Sequence, residues 1–271
     1  MTDDPMSDEG MQPDVAPGPS DPLWRDILEG KSGEFASGRG VFRHIPSSPR
    51  CKLCASPFAG PGAPLMRLMD RGPWAKNPSI CGFCFKQLER ERGGAEIDLS
   101  LLFADVRGST GLAERMGAET FRRLLNRFYH RATDVLLARD AIIDKFVGDE
   151  VVALFIPALA GADHAGRAIE AAKDLLRATG HQDASGPWVP LGVGVHSGSA
   201  YVGTVGEAVT DFTALGDTVN VTARLASAAA AGEILVSVES ATRGGLDDGS
   251  ETRTLDLRGR SQPLDVRVLR L

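Results

Sequence analysis

The chain has 271 residues, 42% of them hydrophobic, and a formal net charge of −6 at pH 7. That length supports one substantial core plus a small module, and the acidic balance gives no sign of a nucleic-acid surface. No apolar run reaches the length of a membrane span, and four cysteines are too few for a secreted disulfide scaffold.

Residues 1–21 are rich in Asp, Pro, Gly and Ser. Such a segment buries too little surface to offset the entropy of ordering, so a disordered acidic tail is expected. It lacks the basic and apolar regions of a signal peptide, and a cytoplasmic protein is the corresponding expectation. Residues 22–49 read as a short helix and linker. The helix starts at Asp21-Pro22 and puts Trp24, Ile27 and Leu28 on one face.

Residues 50–92 hold all four cysteines, as Cys51-Lys-Leu-Cys54 and Cys81-Gly-Phe-Cys84, with twenty-six residues between the pairs. Two such knuckles supply four thiolates, the donor set of a structural zinc; an iron–sulfur cluster and a thiol redox switch are the other readings. The gap is longer than the usual zinc-ribbon spacing and carries few strand signals. Phe58, Trp74, Phe83 and Phe85 are the candidates for a small core around such a centre. The module is also the place for a regulatory ligand or protein partner. Gly93-Gly94 reads as a joint.

From residue 97 onward strands and helices alternate. Residues 98–105 read as a strand, and 118–139 as an amphipathic helix with Phe121, Leu124, Leu125, Phe128 and Val135 at helical spacing. Residues 141–147 and 150–155 form a hairpin around Gly148-Asp149. A second helix runs over 163–179 and ends at Gly180. Strands over 191–196 and 200–205 flank a turn at Ser197-Gly198. A helix over 217–230, capped by Asp217, and strands near 233–236, 251–257 and 264–269 complete the chain. Strand, helix, hairpin, helix, strand is the ferredoxin-like α+β order.

Two aspartates stand out in this pattern. Asp105 ends the apolar run LLFADV, and Asp149 sits on the glycine turn of DKFVGDE. Carboxylates at strand ends and turns can meet at one rim of a sheet, where they hold hard divalent cations together with substrate phosphates. Lys145 lies four residues before the second aspartate.

Four ordered blocks, FADVRGST, DKFVGDEVVALF, GVGVHSGSAYVGTVG and DFTALGDTVNVTARL, closely resemble the class III nucleotidyl cyclase catalytic domain. The resemblance covers residues 97–271 and implies its palm-type, ferredoxin-like α+β fold. It implies that Asp105, Asp149 and the backbone carbonyl of Val106 hold two Mg²⁺ or Mn²⁺ ions. Lys145 matches the purine-recognising lysine, where guanylyl cyclases carry glutamate. The second recognition position, seven residues before Asn220, is Thr213 where many members have aspartate; Asp211 is two residues out of register. That replacement resembles the class IIIb branch, some of whose members respond to bicarbonate. Asn220 matches the residue that orients the ribose, and Arg224 the one that stabilises phosphate charge. Arg258 stands where a further basic contact is found, with Arg260 competing for the place. The two sets face each other across a homodimer in the family. The implied activity is conversion of ATP to cyclic AMP and pyrophosphate. A guanylate cyclase, or a silent cyclase-like interaction domain, is the alternative.

Overall fold

The computed structural model of the chain describes residues 21–33, 35–74, 78–90, 93–206, 211–246, 249–256 and 262–271. The expected disordered tail, Arg258 and Arg260 lie outside the described residues.

Asp21 caps helix α1 (Pro22–Leu28): its carboxylate accepts from the Leu23 N–H at 2.9 Å, and proline takes the first helical position, where no donor is needed. Trp24, Ile27 and Leu28 are buried, so the face expected from sequence does dock. Three further helices build the cysteine-bearing segment: α2 (Ala36–Phe42), α3 (Ala63–Leu68) and α4 (Gly82–Arg90). Isolated bridges join Arg50 to Pro57 and Pro73 to Cys81.

The rest of the chain is one mixed sheet with helices on it. In chain order it comprises β1 (Gly94–Val106), α5 (Ser109–Met116), α6 (Ala118–Ala138), β2 (Ile142–Val147), β3 (Glu150–Phe155), α7 (Pro157–Ala160), α8 (His164–Ala178) and β4 (Leu191–Val205). There follow β5 (Asp211–Leu215), α9 (Asp217–Ala228), β6 (Glu233–Ser237), α10 (Val238–Arg243), β7 (Glu251–Leu255) and β8 (Leu264–Arg270). The strand order is β2-β3-β1-β4-β6-β8-β7, with β5 paired to β4. The ferredoxin-like order is present, with β6, β7 and β8 added beyond β4.

β1 is buried on both faces, which explains its nearly unbroken apolar run. Ile97, Leu99, Leu101 and Phe103 point to one side, where α1, α9 and the cysteine-bearing segment share one apolar core with the sheet. Leu102, Ala104 and Val106 point to the other, with Phe128 and Leu136 of α6 and Leu175 and Leu176 of α8. Lys52 pairs with Asp140, which also pairs with Arg167. The segment is thus held by both apolar burial and charge.

Several expectations are corrected. The two strands expected over 191–196 and 200–205 are one continuous strand, β4, and no turn stands at Ser197-Gly198. Both residues pair with β1, Ser197 opposite Ser100 and Gly198 opposite Leu99. The glycines of GVGVHSG serve packing instead: a Cβ on Gly194 would lie 2.4 Å from the Ala226 nitrogen, so they let α9 lie against β4. The cap of α9 is Gly216, not Asp217, which is the first residue of the helix. Phe83 is 40% exposed under the Arg71 guanidinium rather than in a core, whereas Phe58 is buried and Trp74 stacks on Phe85 at 3.6 Å.

Candidate active site

At the end of β1, Asp105 sits opposite Glu150 of β3 and Gly192 of β4. The β2–β3 hairpin turns on Gly148, whose φ of +60° suits a residue without a Cβ, and presents Asp149 beside β1. The Val106 N–H donates to the Asp149 carbonyl at 3.2 Å. That bond brings two distant motif blocks to one rim of the sheet.

The rim is electronegative. Burial, and then the Asp149 charge, raise the Glu150 carboxyl above its usual range. Arg107 answers these carboxylates: it ion-pairs with Asp105 and donates through Nη1 to the Ser227 and Ala229 carbonyls at 2.9 and 3.4 Å. Its pKa is lowered by burial against the opposing charges of Asp149 and Glu150, and its Nε is buried without a hydrogen-bond partner. A guanidinium drawn in among three carboxylates marks a place for positive charge. Asp105 and Asp149 carry hard carboxylate oxygens, and Val106 a backbone carbonyl, the donor types that suit Mg²⁺ or Mn²⁺. Sequence patterning does not single out Arg107 or Glu150. Their only signal is that each lies close to a motif aspartate.

Lys145 and Thr213 form a second group. Lys145 Nζ donates to Thr213 Oγ1 at 3.1 Å, and Thr213 Oγ1 donates to Asp144 Oδ2 at 2.9 Å. Asp211, out of register by sequence counting, shares a strand face with Thr213 and lies 3.7 Å from Lys145 Nζ. Asp144 belongs here because β2 has a register shift between Ile143 and Lys145. In a regular strand, neighbours point to opposite faces; a bulge re-aims one of them. The Asp144 side chain is 4% exposed. Burial pushes its carboxyl up to about 6, against the Lys145 charge and the Thr213 hydrogen bond. Asp144, Lys145 and Asp211 line a cavity of about 520 Å³ whose apolar wall includes Leu53, Trp74 and Phe85 of the cysteine-bearing segment.

Asn220 is exposed and Arg224 half-buried, one turn apart on α9. The start of α9 is fixed by Thr218, which donates to the Ser199 carbonyl at 2.5 Å, and Ser199 pairs with Asp98. Asp98 precedes Asp105 by seven strand residues, roughly 23 Å at about 3.3 Å each. Asn220, two residues on from Thr218, therefore sits toward the Asp98 end of β1, while the far end of α9 meets Arg107 at the Asp105 end.

The four cysteines converge. Their Sγ atoms all lie within 4.8 Å of one another, with Cys51–Cys84 at 3.9 Å and Cys54–Cys81 at 3.7 Å. None is in a disulfide and all are buried. Zn–S bonds of about 2.3 Å in a tetrahedron place sulfurs about 3.8 Å apart. Backbone N–H groups of Cys81 and Cys84 donate to Cys51 Sγ at 3.3 Å and Cys81 Sγ at 3.4 Å, and Arg71 donates to Cys54 Sγ at 3.7 Å. These donors offset thiolate charge, so the cluster fits a metal centre.

Comparison with known proteins agrees with this geometry. The family described as the adenylate and guanylate cyclase catalytic domain matches residues 95–262. Adenylate cyclase 1 of Rhizobium meliloti is 34% identical over 134 residues, covering 47% of this chain and 20% of that protein. An uncharacterized protein of Mycobacterium tuberculosis is 32% identical over 193 residues, covering 66% of this chain and 35% of that one. The chain thus matches between a fifth and about a third of the length of these relatives. The crystal structure of the adenylyl cyclase CyaB from P. aeruginosa superposes with a TM-score of 0.56 at 31% identity, over 65% of this chain and 95% of that one. That of the guanylyl cyclase Cya2 gives 0.59 at 26%, over 65% and 93%. No helix among the described residues is long and apolar enough to cross a membrane. With four sequence blocks, the fold and the family match in agreement, this chain belongs to the adenylate and guanylate cyclase catalytic-domain family.

Proposed function

We propose that the chain is an adenylate cyclase, converting ATP to 3′,5′-cyclic AMP and pyrophosphate at sites shared between two copies of itself. The observation that carries the reading is the contact between Lys145 and Thr213. It supports reading Lys145 and Thr213 as one base-recognising pair, apart from Asp105 and Asp149 at the sheet rim. An ammonium donates to the acceptor nitrogen on adenine's edge, where guanylyl cyclases present a glutamate. Relatives named adenylate cyclases, from Rhizobium meliloti and Anabaena cylindrica, support the choice.

Each residue then has a task. Asp105, Asp149 and the Val106 carbonyl hold the divalent ions. Bound Mg²⁺ or Mn²⁺ supplies activation of the ribose 3′-hydroxyl and charge neutralisation at the departing pyrophosphate. Asn220 orients the ribose. Arg224 meets phosphate oxygens with its planar fork and stabilises the charge that builds on them. The position of Asn220 toward the Asp98 end of β1, away from the Asp105 end, supports a two-fold dimer in which one protomer brings the aspartates and the other brings Asn220 and Arg224. The presence of Asp105, Asp149, Asn220 and Arg224 together favours catalysis over a silent scaffold. We read the four-cysteine centre as structural zinc.

The test is product identification. Purified protein with Mn²⁺ and either ATP or GTP is analysed by mass. Cyclic AMP as the dominant product is expected, and cyclic GMP in excess, or neither product, would overturn the reading.

A further inference from the structure

The base-recognising cavity contains a carboxylate that the family pattern does not account for. Asp144 is not at the position where class III cyclases that use aspartate place it; that position is Thr213. The register shift in β2 nevertheless turns Asp144 to the same side as its neighbour Lys145. Its side chain is 4% exposed, its Oδ2 is taken by the Thr213 hydroxyl, and its Oδ1 is buried with no hydrogen-bond partner. A buried carboxylate oxygen left unpaired is costly, and a ligand N–H relieves that cost. Most of the cavity around it is apolar, with Ile142, Phe212, Trp74 and Phe85 among its walls. Its volume of about 520 Å³ is ample for a planar heterocycle.

We propose that Asp144, not Thr213, is the group that accepts a hydrogen bond from the exocyclic amino group of adenine, and that Thr213 positions it. This rests on the adenylate cyclase reading above. The Thr213 hydroxyl has one proton and gives it to Asp144, while it accepts from Lys145. It thereby holds an ammonium donor and a carboxylate acceptor side by side. Adenine offers the matching edge, N1 as acceptor beside the 6-amino donor. Guanine offers O6 beside N1–H, a pattern the pair also matches, so the choice of ATP over GTP rests on the family resemblance at Lys145 and is read by the product test above. Asp211 is the other carboxylate near Lys145, but its side chain is 58% exposed and open to solvent.

The test compares ATP with purine riboside 5′-triphosphate, which lacks the 6-amino group, using the 271-residue chain with Mn²⁺. The ratio of kcat/KM for the two substrates reads the amino contact alone, because the phosphates and ribose are shared. Wild type is expected to favour ATP by at least about tenfold, the effect of one hydrogen bond to a charged group. Asp144→Ala is expected to bring the ratio near one, chiefly by losing ATP turnover. Asp144→Asn keeps an amide oxygen as acceptor and is expected to fall between, which separates a lost contact from a lost fold. An unchanged ratio in Asp144→Ala would overturn the proposal. So would a collapse of the ratio in Thr213→Val or Asp211→Asn but not in Asp144→Ala, since either would name a different acceptor. Wild-type preference for GTP, or no turnover of ATP, would instead overturn the adenylate reading, and this proposal with it. Turnover of ATP with an Asp144-independent ratio overturns this proposal alone.

Discussion

Val106 and Asp149 are joined backbone to backbone, N–H to carbonyl at 3.2 Å, and this bond fixes the spacing of the two motif aspartates. Asp105 precedes Val106 directly, so the main chain sets its place beside the β2–β3 turn, and Arg107 ion-pairs with its carboxylate. Asp105→Ala and Asp149→Ala are therefore expected to fold normally. Each should lower kcat by at least about 100-fold, the scale of losing one group that stabilises transition-state charge. Near-normal turnover with Mg²⁺ in either variant, measured beside an unchanged melting curve, would remove that aspartate from the metal site.

Asp144 gives the stability a pH dependence of defined sign. Burial raises its folded pKa to about 6, above the ordinary value of 3.8. The folded state therefore binds the proton more tightly than the unfolded state. The associated stability is fully present below the unfolded pKa and is lost as pH rises through about 6. Asp144→Asn cannot ionise and should flatten that part of the profile, with the gain over wild type largest near pH 7. Thermal melts of both proteins from pH 4 to 7.5 check this. Parallel profiles would show that Asp144 is not the titrating group.

Glu233 predicts the opposite slope. Its hydrogen bond from Arg253, with that from Arg270, holds its carboxyl down at about 2 and clamps β6 against β7 and β8. A depressed carboxyl stabilises the fold above its unfolded pKa and loses that contribution as pH falls toward about 2. Glu233→Gln should melt lower than wild type at pH 7, with the difference shrinking in acid. A difference that persists unchanged to pH 2 would contradict the ion-pair account.

Removing metal from the cysteine centre should loosen residues 50–92 first. These residues contribute Cys51, Leu53, Cys54, Phe58, Ile80, Cys81, Cys84 and Leu88 to a core shared with β1. Strong chelation under reducing conditions should raise amide exchange there and around Ile142, while the core under α6 and α8 stays protected. Elemental analysis of anaerobically purified protein identifies the metal, with zinc colourless and iron–sulfur brown. Four free thiols with no metal would leave redox chemistry as the account of this cluster.

The parts of the fold legible in sequence were those with strong periodicity or a turn glycine. α6 and α8 follow apolar spacing, and Gly148 marks the hairpin that carries Asp149. α5 is not legible because none of its side chains is fully buried, so it leaves no apolar period. The glycines of β4 mislead because they serve close helix packing rather than a turn. β5 is five residues long with only Thr213 and Ala214 buried, too short for alternation to show. Among the candidate site residues, Asp105 and Asp149 stand out by their place on a strand end and a glycine turn, and Lys145 through the family resemblance. Asp144 does not stand out, because a regular strand would point it away from Lys145 and only the bulge reverses that.

The central claim is that each site draws its aspartates from one protomer and its Asn220 and Arg224 from the other. The most direct test mixes Asp105→Ala protein with Arg224→Ala protein, each inactive alone. A heterodimer would contain one site with both lesions and one site with neither. The account predicts that mixing restores cyclic AMP formation, up to about one intact site per heterodimer. Mixed dimers shown to form by tagged pull-down, yet without activity above either parent, would contradict it.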